Sequence, residues 1–414
     1  MSIIRPFKGF RPRKDMVKEV ASPPYDVVNT EESRELVKGK PYSFLHVVRS
    51  EVDLPEEIDP YDPQVYQKAK ENLQKLISDN ILVEDSKPSL YLYQQQMGDH
   101  KQIGILACAA VEDYMNDVIK KHELTRADKE KDRIRHVDTL NANTGPVFLT
   151  YPAVEGIDRL IEELIKKEPD FHFEADDKVI HTLWQVDDPE TIEYFVKEFS
   201  MVPTLYVADG HHRSASAAKV GAIRKEANPD HTGDEEYNFF LAVFFPHNQL
   251  KIMDYNRVVK DLGDMTEEEF LEKVQSNFDI ELVNDSKSYK PEVKHRIGMY
   301  MKNRWYILTP KIGTFDENDP VQSLDVAILQ SNLLTPILNI TDPRKDNRID
   351  FVGGIRGIGE LEKRVNKGEA VAFALYPTDV EDLMSIADSG KIMPPKSTWF
   401  EPKLRSGLVV HFLS

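Results

Sequence analysis

The sequence has little cysteine and no long apolar run, and each shortage excludes a class of protein. Cys108 is the only cysteine among 414 residues, so no intramolecular disulfide can form, which fits a reducing compartment. No apolar run approaches the length that crosses a bilayer, and no apolar signal segment opens the chain. We therefore expect a cytoplasmic protein without a membrane partner.

Positive charge is also scarce. The chain holds 53 Lys and Arg residues against 71 Asp and Glu residues, a formal net charge of −18 at pH 7. This balance argues against a general nucleic-acid binder, and no helix-turn-helix with a basic recognition helix is evident. Local basic clusters still allow phosphate chemistry. We expect small-molecule substrates as partners and allow for a homodimer.

Several familiar cofactor motifs are missing. The chain has no Cys-x-x-Cys and no His-Glu-x-x-His. The glycine-rich stretch at 351–359 lacks the Gly-Lys-Ser/Thr of a P-loop and the spacing of the dinucleotide fingerprint, so we interpret it as a strand-turn-helix junction. Asp342, Asp346 and Asp350 are interleaved with basic residues, which favours a solvated turn over a calcium site.

Local patterns predict an α+β chain with mixed β-sheets and helices. Residues 62–81 carry apolar side chains at helical spacing, and Asp62 followed by Pro63 suits the cap and first position of that helix. Apolar runs predict strands at 42–49, 89–94 and 102–111. The last of these would bury Cys108.

The domain organisation is harder to derive from one sequence. The composition shifts near residues 255–265, which indicates a boundary. We predict an N-terminal α/β part over 1–104, a catalytic core over 105–255 and a C-terminal α+β part over 256–414 that closes the site.

The most informative stretch is Asp209-Gly210-His211-His212-Arg213. It lies between a predicted buried strand and an alanine-rich helix that starts near Ser214. Such a junction presents backbone N–H groups and the positive end of a helix dipole, which favour an anion. Gly210 permits a tight turn, and the two histidines, Arg213 and Ser214 add donors for phosphate oxygens. Asp209 is interpreted as a magnesium ligand, as a group that orients a histidine, or as a helix cap.

A second polar cluster begins at His122-Glu123, between a predicted strand and a charged helix over 128–140. Glu123 could act as a general base if burial or a neighbouring carboxylate raises its pKa. The helix itself has two interpretations. It is either part of this cluster or an exposed helix with charge pairs four residues apart.

Together the two clusters resemble the ParB/sulfiredoxin-like superfamily and, within it, the free L-serine kinases. The resemblance covers residues 105–225 and implies that Glu123, after His122, is the catalytic base toward the serine hydroxyl. It further implies that the Asp209–Arg213 turn holds the donor phosphates and Mg²⁺, with Asp209 as the metal ligand. Residues 146–200 are an insertion relative to the small kinases.

The whole chain also resembles a widespread bacterial family long catalogued without a known function. The shared segments are Arg5-Pro6-Phe7, 23–28, both clusters and the closing Pro-Pro-Lys-Ser-Thr at 394–398. This last stretch belongs to a stiff loop over 393–403, which we interpret either as an anchored surface loop or as the acceptor site. Its acceptor-binding candidates are Lys396, Ser397, Thr398 and Lys403.

These observations predict a phosphotransferase that converts free L-serine, or a similar small hydroxy compound, to its phosphate ester. The predicted catalytic residues are His122, Glu123, Asp209, His211 and His212. The donor is ATP, ADP or inorganic pyrophosphate, with Mg²⁺. Two alternatives remain: a ParB-related nucleotide-binding regulatory or partner-binding protein without kinase activity, and a nucleotide hydrolase.

Overall fold

The computed structural model describes residues 2–283 and 287–414, and it confirms an α+β fold with mixed and antiparallel sheets. In chain order the strands are β1 Ile4–Arg5, β2 Phe10–Pro12, β3 Leu82–Glu84, β4 Leu90–Met97, β5 His100–Ala110, β6 Ile119–Lys120, β7 Ala142–Asn143, β8 Val147–Tyr151, β9 Phe171–Glu174, β10 Ile180–Val186, β11 Leu205–Asp209, β12 Phe239–Pro246, β13 Lys251–Met253, β14 Tyr255–Val259, β15 Phe278–Leu282, β16 Ile297–Met301, β17 Arg304–Pro310, β18 Ile349–Gly353, β19 Val371–Ala374, β20 Trp399–Glu401 and β21 His411–Phe412.

The α-helices are α1 Val17–Val20, α2 Thr30–Leu36, α3 Leu45–Val48, α4 Pro63–Ser78, α5 Val111–Met115, α6 Ala127–Leu140, α7 Glu155–Leu164, α8 Pro189–Ser200, α9 His211–Ala227, α10 Glu267–Asn277, α11 Asp325–Leu329, α12 Ile358–Asn366 and α13 Val380–Asp388. None of the helices in the described residues combines the length and the apolar character that crossing a bilayer requires.

The chain divides into two compact units. Unit 1 comprises Met1–Leu250 and Pro402–Ser414, and unit 2 comprises Lys251–Glu401. Unit 2 is thus inserted between two segments of unit 1 along the chain. The three-part division predicted from the sequence stays a prediction.

Unit 1 is built on a nine-stranded mixed sheet with the order β6-β11-β8-β12-β5-β4-β10-β9, and β1 pairs with β5 beside this path. The β11–β6 and β12–β8 pairs are parallel, and the other pairs are antiparallel. β5 and β12 lie at the centre and are almost wholly buried, as expected for continuous apolar runs. The predicted burial of Cys108 in β5 is confirmed.

A group of helices with its own apolar cluster lies between β2 and β3 in the chain. The predicted helix near 62–81 is confirmed as α4, with the Asp62 side chain accepting a hydrogen bond from the Gln64 N–H at 2.8 Å. Ala69 and Leu73 of α4 are buried in the same cluster as Phe44.

The strand predicted over 42–49 is wrong, because this segment forms the short helix α3. Its β-branched valines favour a strand by propensity. Burial decides otherwise, since Leu45, Val47 and Val48 all enter the cluster shared with α4. Tertiary packing thereby overrides the local preference.

Unit 2 contains a six-stranded antiparallel sheet with the order β15-β17-β16-β19-β14-β18. A separate two-stranded ribbon pairs β13 with β20, and in it Lys251 stands opposite Glu401. The first and last residues of unit 2 are therefore neighbours. The glycine-rich stretch forms the predicted junction, since β18 ends at Gly353 and α12 begins at Ile358.

Candidate functional site

The Asp209 turn connects β11 to the helix α9. β11 lies between β6 and β8 and ends at Asp209, and α9 starts at His211. Gly210 makes the turn with φ +96°, a left-handed conformation that side chains disfavour. No side chain caps α9 among the described residues, and α9 extends for 17 residues. The predicted strand-turn-helix junction is confirmed, with a helix dipole directed at it.

Asp209 is held by cations and by its own turn. Its Oδ2 lies 3.1 Å from Nζ of Lys403, and its Oδ1 accepts from the N–H of Gly210 at 2.8 Å. A guanidinium nitrogen of Arg213 is 4.0 Å from Oδ2. Burial alone would raise the pKa of the Asp209 carboxyl, but Lys403 and Arg213 outweigh it and hold that pKa well below its usual range.

Arg213 connects the turn to the N-terminal segment. Its guanidinium donates to the backbone carbonyl of Pro146 and lies 3.8 Å from Oδ2 of Asp26. Its Nε is buried and has no hydrogen-bond partner in the described structure. A ligand oxygen near Nε would therefore satisfy an otherwise unpaired donor.

The two polar clusters of the sequence meet in space. The rings of His122 and His211 pack edge to face with centroids 4.5 Å apart. One ligand-type atom from each of His122, Glu123 and His211 lies within 4.8 Å of the others. The predicted base and the predicted anion turn thus belong to one site, although almost ninety residues separate them in the chain.

Both histidines of this contact are buried, and both are neutral near pH 7. Burial lowers the pKa of His211 to about 4, although the charge of Asp209 opposes the shift. Burial and the neighbouring His211 lower the pKa of His122 well below its usual range. Neutral imidazoles supply hydrogen bonds but no positive charge. The cationic character of the turn therefore comes from Arg213 and Lys403.

His212 faces the start of α6. Its Nε2 accepts a hydrogen bond from the backbone N–H of Arg126 at 3.1 Å. Nδ1 is then the ring atom that carries the hydrogen when the imidazole is neutral. Ser214 is fully buried, and its hydroxyl donates to the His211 carbonyl at 3.1 Å, so it braces the first turn of α9. The phosphate-binding assignment of both residues stays a prediction.

The helix α6 is more than an exposed row of charge pairs. Asp132 is buried and accepts from the Tyr66 hydroxyl at 2.9 Å, while Arg133 stacks 4.0 Å from the Tyr25 ring centroid. His136 is buried as well, and its Nε2 lies 3.1 Å from the Val47 carbonyl oxygen. One side of α6 therefore packs into unit 1, and the fully exposed interpretation is wrong for it.

The predicted acceptor residues divide between the two units. Lys403 lies in unit 1, on Asp209. Lys396, Ser397 and Thr398 lie in unit 2, where the Lys396 ammonium is 5.7 Å from the Tyr255 ring centroid. The Ser397 hydroxyl donates to the Pro394 carbonyl at 2.6 Å. Their role in binding an acceptor stays a prediction.

Asp209 does not offer a good position for Mg²⁺ in this arrangement. Both of its oxygens already contact donors, and Lys403 supplies the counter-charge that a metal ion would supply. A cation at Asp209 would have to displace that ammonium. The assignment of Mg²⁺ to Asp209 stays a prediction. The solvated turn predicted at Asp342 is present, with the Arg344 guanidinium 2.9 Å from its carboxylate.

A comparison with known protein families assigns the chain to one of them. Residues 4–327 match the family described as "Protein of unknown function (DUF1015)". The chain belongs to this family. The resemblance to a family without a known function is thereby confirmed, while membership of the ParB/sulfiredoxin-like superfamily stays a prediction. No curated protein matches the chain.

Three solved structures show a distant likeness. A conserved hypothetical protein from Pyrococcus furiosus is 12% identical with a TM-score of 0.36, and the match covers 73% of this chain and 93% of that one. A free serine kinase in complex with AMP is 12% identical with a TM-score of 0.36, covering 72% and 86%. SbnI with a C-terminal truncation, from Staphylococcus aureus, is 12% identical with a TM-score of 0.38, covering 72% and 82%. A likeness this distant does not extend to the chemistry of the site.

From the sequence, Asp26 was missed as a residue of the site, and Lys403 was named without its partner. Asp26, beside Arg213, belongs to the rigid Pro-Pro-Tyr-Asp segment that was noted only as a shared motif. Lys403 was assigned to an acceptor, but no local pattern connects it with Asp209. Only Asp26 had a local signal, since the two prolines of its segment restrict the backbone there.

Proposed function

We propose that this protein is a phosphotransferase that phosphorylates free L-serine or a similar small hydroxy compound. One observation carries the proposal. His122 and Glu123, which the motif resemblance assigns to the acceptor, lie against His211, the first residue of the helix assigned to the donor. A phosphoryl transfer needs a base and a phosphate site within reach of one another.

The Asp209 turn is suited to bind the donor's phosphates. Arg213 offers a buried, unpaired Nε, the start of α9 offers its dipole, and neutral His211 offers an imidazole. Asp209 keeps Lys403 and Arg213 in place rather than binding phosphate, because like charges repel. The donor would enter as its own Mg²⁺ complex, so that the ion arrives with the substrate.

Glu123 takes the role of base. In the proposed step its carboxylate accepts the proton of the acceptor hydroxyl while that oxygen bonds to the terminal phosphorus. The bond from phosphorus to the donor's bridging oxygen breaks, and the shortened donor leaves with that electron pair. Arg213 stabilises the charge on the transferred group. The half-buried position of Glu123 allows both desolvation and access.

The acceptor's carboxylate needs a cation of its own. Lys403 is proposed for this role, and a part in it for Lys396, Ser397 and Thr398 stays a prediction from the sequence. Lys403 is held by Asp209, so its share in acceptor binding depends on exchanging that partner for the acceptor carboxylate.

The experiment that tests the function is phosphorus NMR of the full chain with Mg²⁺, L-serine and ATP, ADP or pyrophosphate in separate samples. A phosphoserine signal that needs both serine and one donor supports the proposal. Donor hydrolysis without serine would establish the nucleotide hydrolase instead. Donor binding without any turnover would favour the regulatory nucleotide-binding alternative.

A further inference from the structure

We propose that His122, Glu123 and His211 form a binding site for a divalent first-row transition metal. The inference goes beyond phosphoryl transfer, since it concerns an ion that these three side chains hold directly. Two imidazoles and one carboxylate are a ligand set that binds Zn²⁺ and Fe²⁺ in proteins and leaves coordination positions open.

The distances suit such an ion. One ligand atom from each residue lies within 4.8 Å of the others. Ligands of a tetrahedral ion, each about 2.1 Å from it, are about 3.4 Å apart. The observed limit exceeds this by about 1.4 Å, which rotation of the side chains would have to close.

His211 supplies an independent indication. Its side chain is only 7% exposed, and its Nε2 is buried without a hydrogen-bond partner in the described structure. A buried ring nitrogen in that state is costly unless something binds it. Its ring packs edge to face with the ring of His122, with centroids 4.5 Å apart, and one ring nitrogen of each lies within 4.8 Å of the other.

A backbone hydrogen bond fixes the orientation of the His122 ring, as is common for histidines that bind metals. Its ring hydrogen-bonds the backbone of Val207, the third residue of β11. A hydrogen bond from one ring nitrogen to a backbone carbonyl sets the tautomer and aims the other nitrogen at the metal. β11 therefore serves this site twice, because it positions His122 through Val207 and leads directly into the turn before His211.

Two imidazoles and one carboxylate favour some divalent ions over others. Mg²⁺ prefers oxygen ligands in octahedral geometry, whereas imidazole suits Zn²⁺, Fe²⁺ and Co²⁺. The cation that accompanies a phosphate donor and the ion proposed here are thus different ions. A metal-bound Glu123 oxygen cannot accept a proton, so where the proposed function also holds, filling this site with Zn²⁺ would inhibit turnover.

The test uses the full chain without an affinity tag, stripped with a chelator and titrated with Zn²⁺ against a chromophoric competitor. We expect one Zn²⁺ per chain with a dissociation constant of about 1 μM or lower. Glu123→Gln and His211→Gln should each weaken binding about 100-fold or more, which is the upper end of what loss of an outer-shell partner costs. Co²⁺ should give a visible absorption band that Glu123→Gln abolishes.

The matched control is His212→Gln, which removes the adjacent histidine of the same turn and should leave Zn²⁺ binding unchanged. Far-ultraviolet circular dichroism of each variant separates loss of the site from loss of the fold. If His211→Gln unfolds, Glu123→Gln still tests the proposal, because Glu123 is only half-buried. Absence of Zn²⁺ binding by the unaltered chain would overturn the proposal. Equal losses in the His211 and His212 variants would overturn it as well. Neither result depends on phosphotransferase activity.

Discussion

The Lys403 ammonium lies 3.1 Å from Oδ2 of Asp209, although 194 residues separate the two in sequence. The two side chains are 18% and 30% exposed, so the pair keeps limited contact with water. Together with Arg213, Lys403 outweighs the effect of burial on the pKa of Asp209. The charge state of the turn therefore depends on a residue from the last segment of unit 1.

Replacing Lys403 by Met should raise the pKa of Asp209 and lower the free energy of unfolding by about 1–2 kcal/mol near neutral pH, because a charge-assisted hydrogen bond is lost. A carboxyl whose pKa is depressed on folding contributes stability above its unfolded pKa, and this contribution is lost as pH falls. The deficit of Lys403→Met should therefore shrink below about pH 4. Urea denaturation across this pH range measures it.

Lys178→Met is the control for that substitution, since it removes an exposed partner of Glu174 from the same unit. Exposed pairs contribute little, and we expect a change within about 0.5 kcal/mol. Equal losses in the two variants would mean that the Asp209 pair has no special role.

Replacing Arg213 by Ala should raise the donor's dissociation constant about tenfold or more, because a charge-assisted contact to phosphate is lost. Arg224→Ala is the control on the same helix, since Arg224 binds Asp138 near the other end of α9. Calorimetric titration with each donor reports the difference. Unchanged donor affinity in Arg213→Ala would remove the phosphate site from this turn.

Replacing Glu123 by Gln should lower turnover about 10²–10⁴-fold and leave donor binding largely intact, because the side chain keeps its shape and loses its basicity. Glu112→Gln changes an exposed acid on α5 and should not alter turnover. Steady-state assays of phosphoserine formation compare the variants. Near-normal turnover in Glu123→Gln would require a different base, with Asp128 and Asp132 the next candidates.

Replacing Gly210 by Ala should weaken both folding and donor binding. The alanine would have to adopt φ +96°, and its Cβ would lie 3.1 Å from Nε of Arg213. Gly233 separates the two effects, because it has φ +100° and nothing within 4 Å of an added Cβ. We expect about 1–2 kcal/mol of strain in each alanine variant, with a loss of donor affinity only at Gly210. Equal donor affinity in both variants would contradict the close approach.

Acid should destabilise the protein through its buried neutral histidines, and His136 offers a test outside the proposed site. Burial and the charge of Arg133 lower the pKa of His136 to about 3. Between about pH 6.5 and that value the unfolded chain binds a proton that the folded chain does not, so stability falls as pH falls. His136→Gln should remove up to about 1.4 kcal/mol per pH unit from this slope. Parallel stability curves for the two proteins would refute the buried neutral state.

Local signals predicted much of the structure that they control. Asp62 and Pro63 marked the start of α4 because caps act within one turn. The Asp209–Arg213 turn was recognisable because the buried strand, the glycine and the helix are contiguous. The segment 42–49 was mispredicted because its valines are equally compatible with a buried helix, and only the facing residues of α4 decide between the two.

Contacts between distant segments could not be predicted in this way. Arg213 meets Asp26 and Asp209 meets Lys403, and both pairings depend on the folded sheet rather than on any spacing in the chain. The buried side of α6 was undecided for the same reason. Its charged residues occur at helical spacing in either case, and only Tyr66 and Tyr25 reveal which of them are enclosed.

The pairing of Lys251 with Glu401 has a consequence for the modular history of the chain. Opposed residues of an antiparallel ribbon are about 5 Å apart, which is the width of a tight loop. The two ends of the 151-residue insert are therefore as close together as the two ends of a hairpin loop. Whole domains can be gained or exchanged at such a position without changing the fold of the unit that carries them. The ribosome nevertheless synthesises all of unit 2 before Lys403. The ion pair between Lys403 and Asp209 is therefore among the last contacts of unit 1 to form.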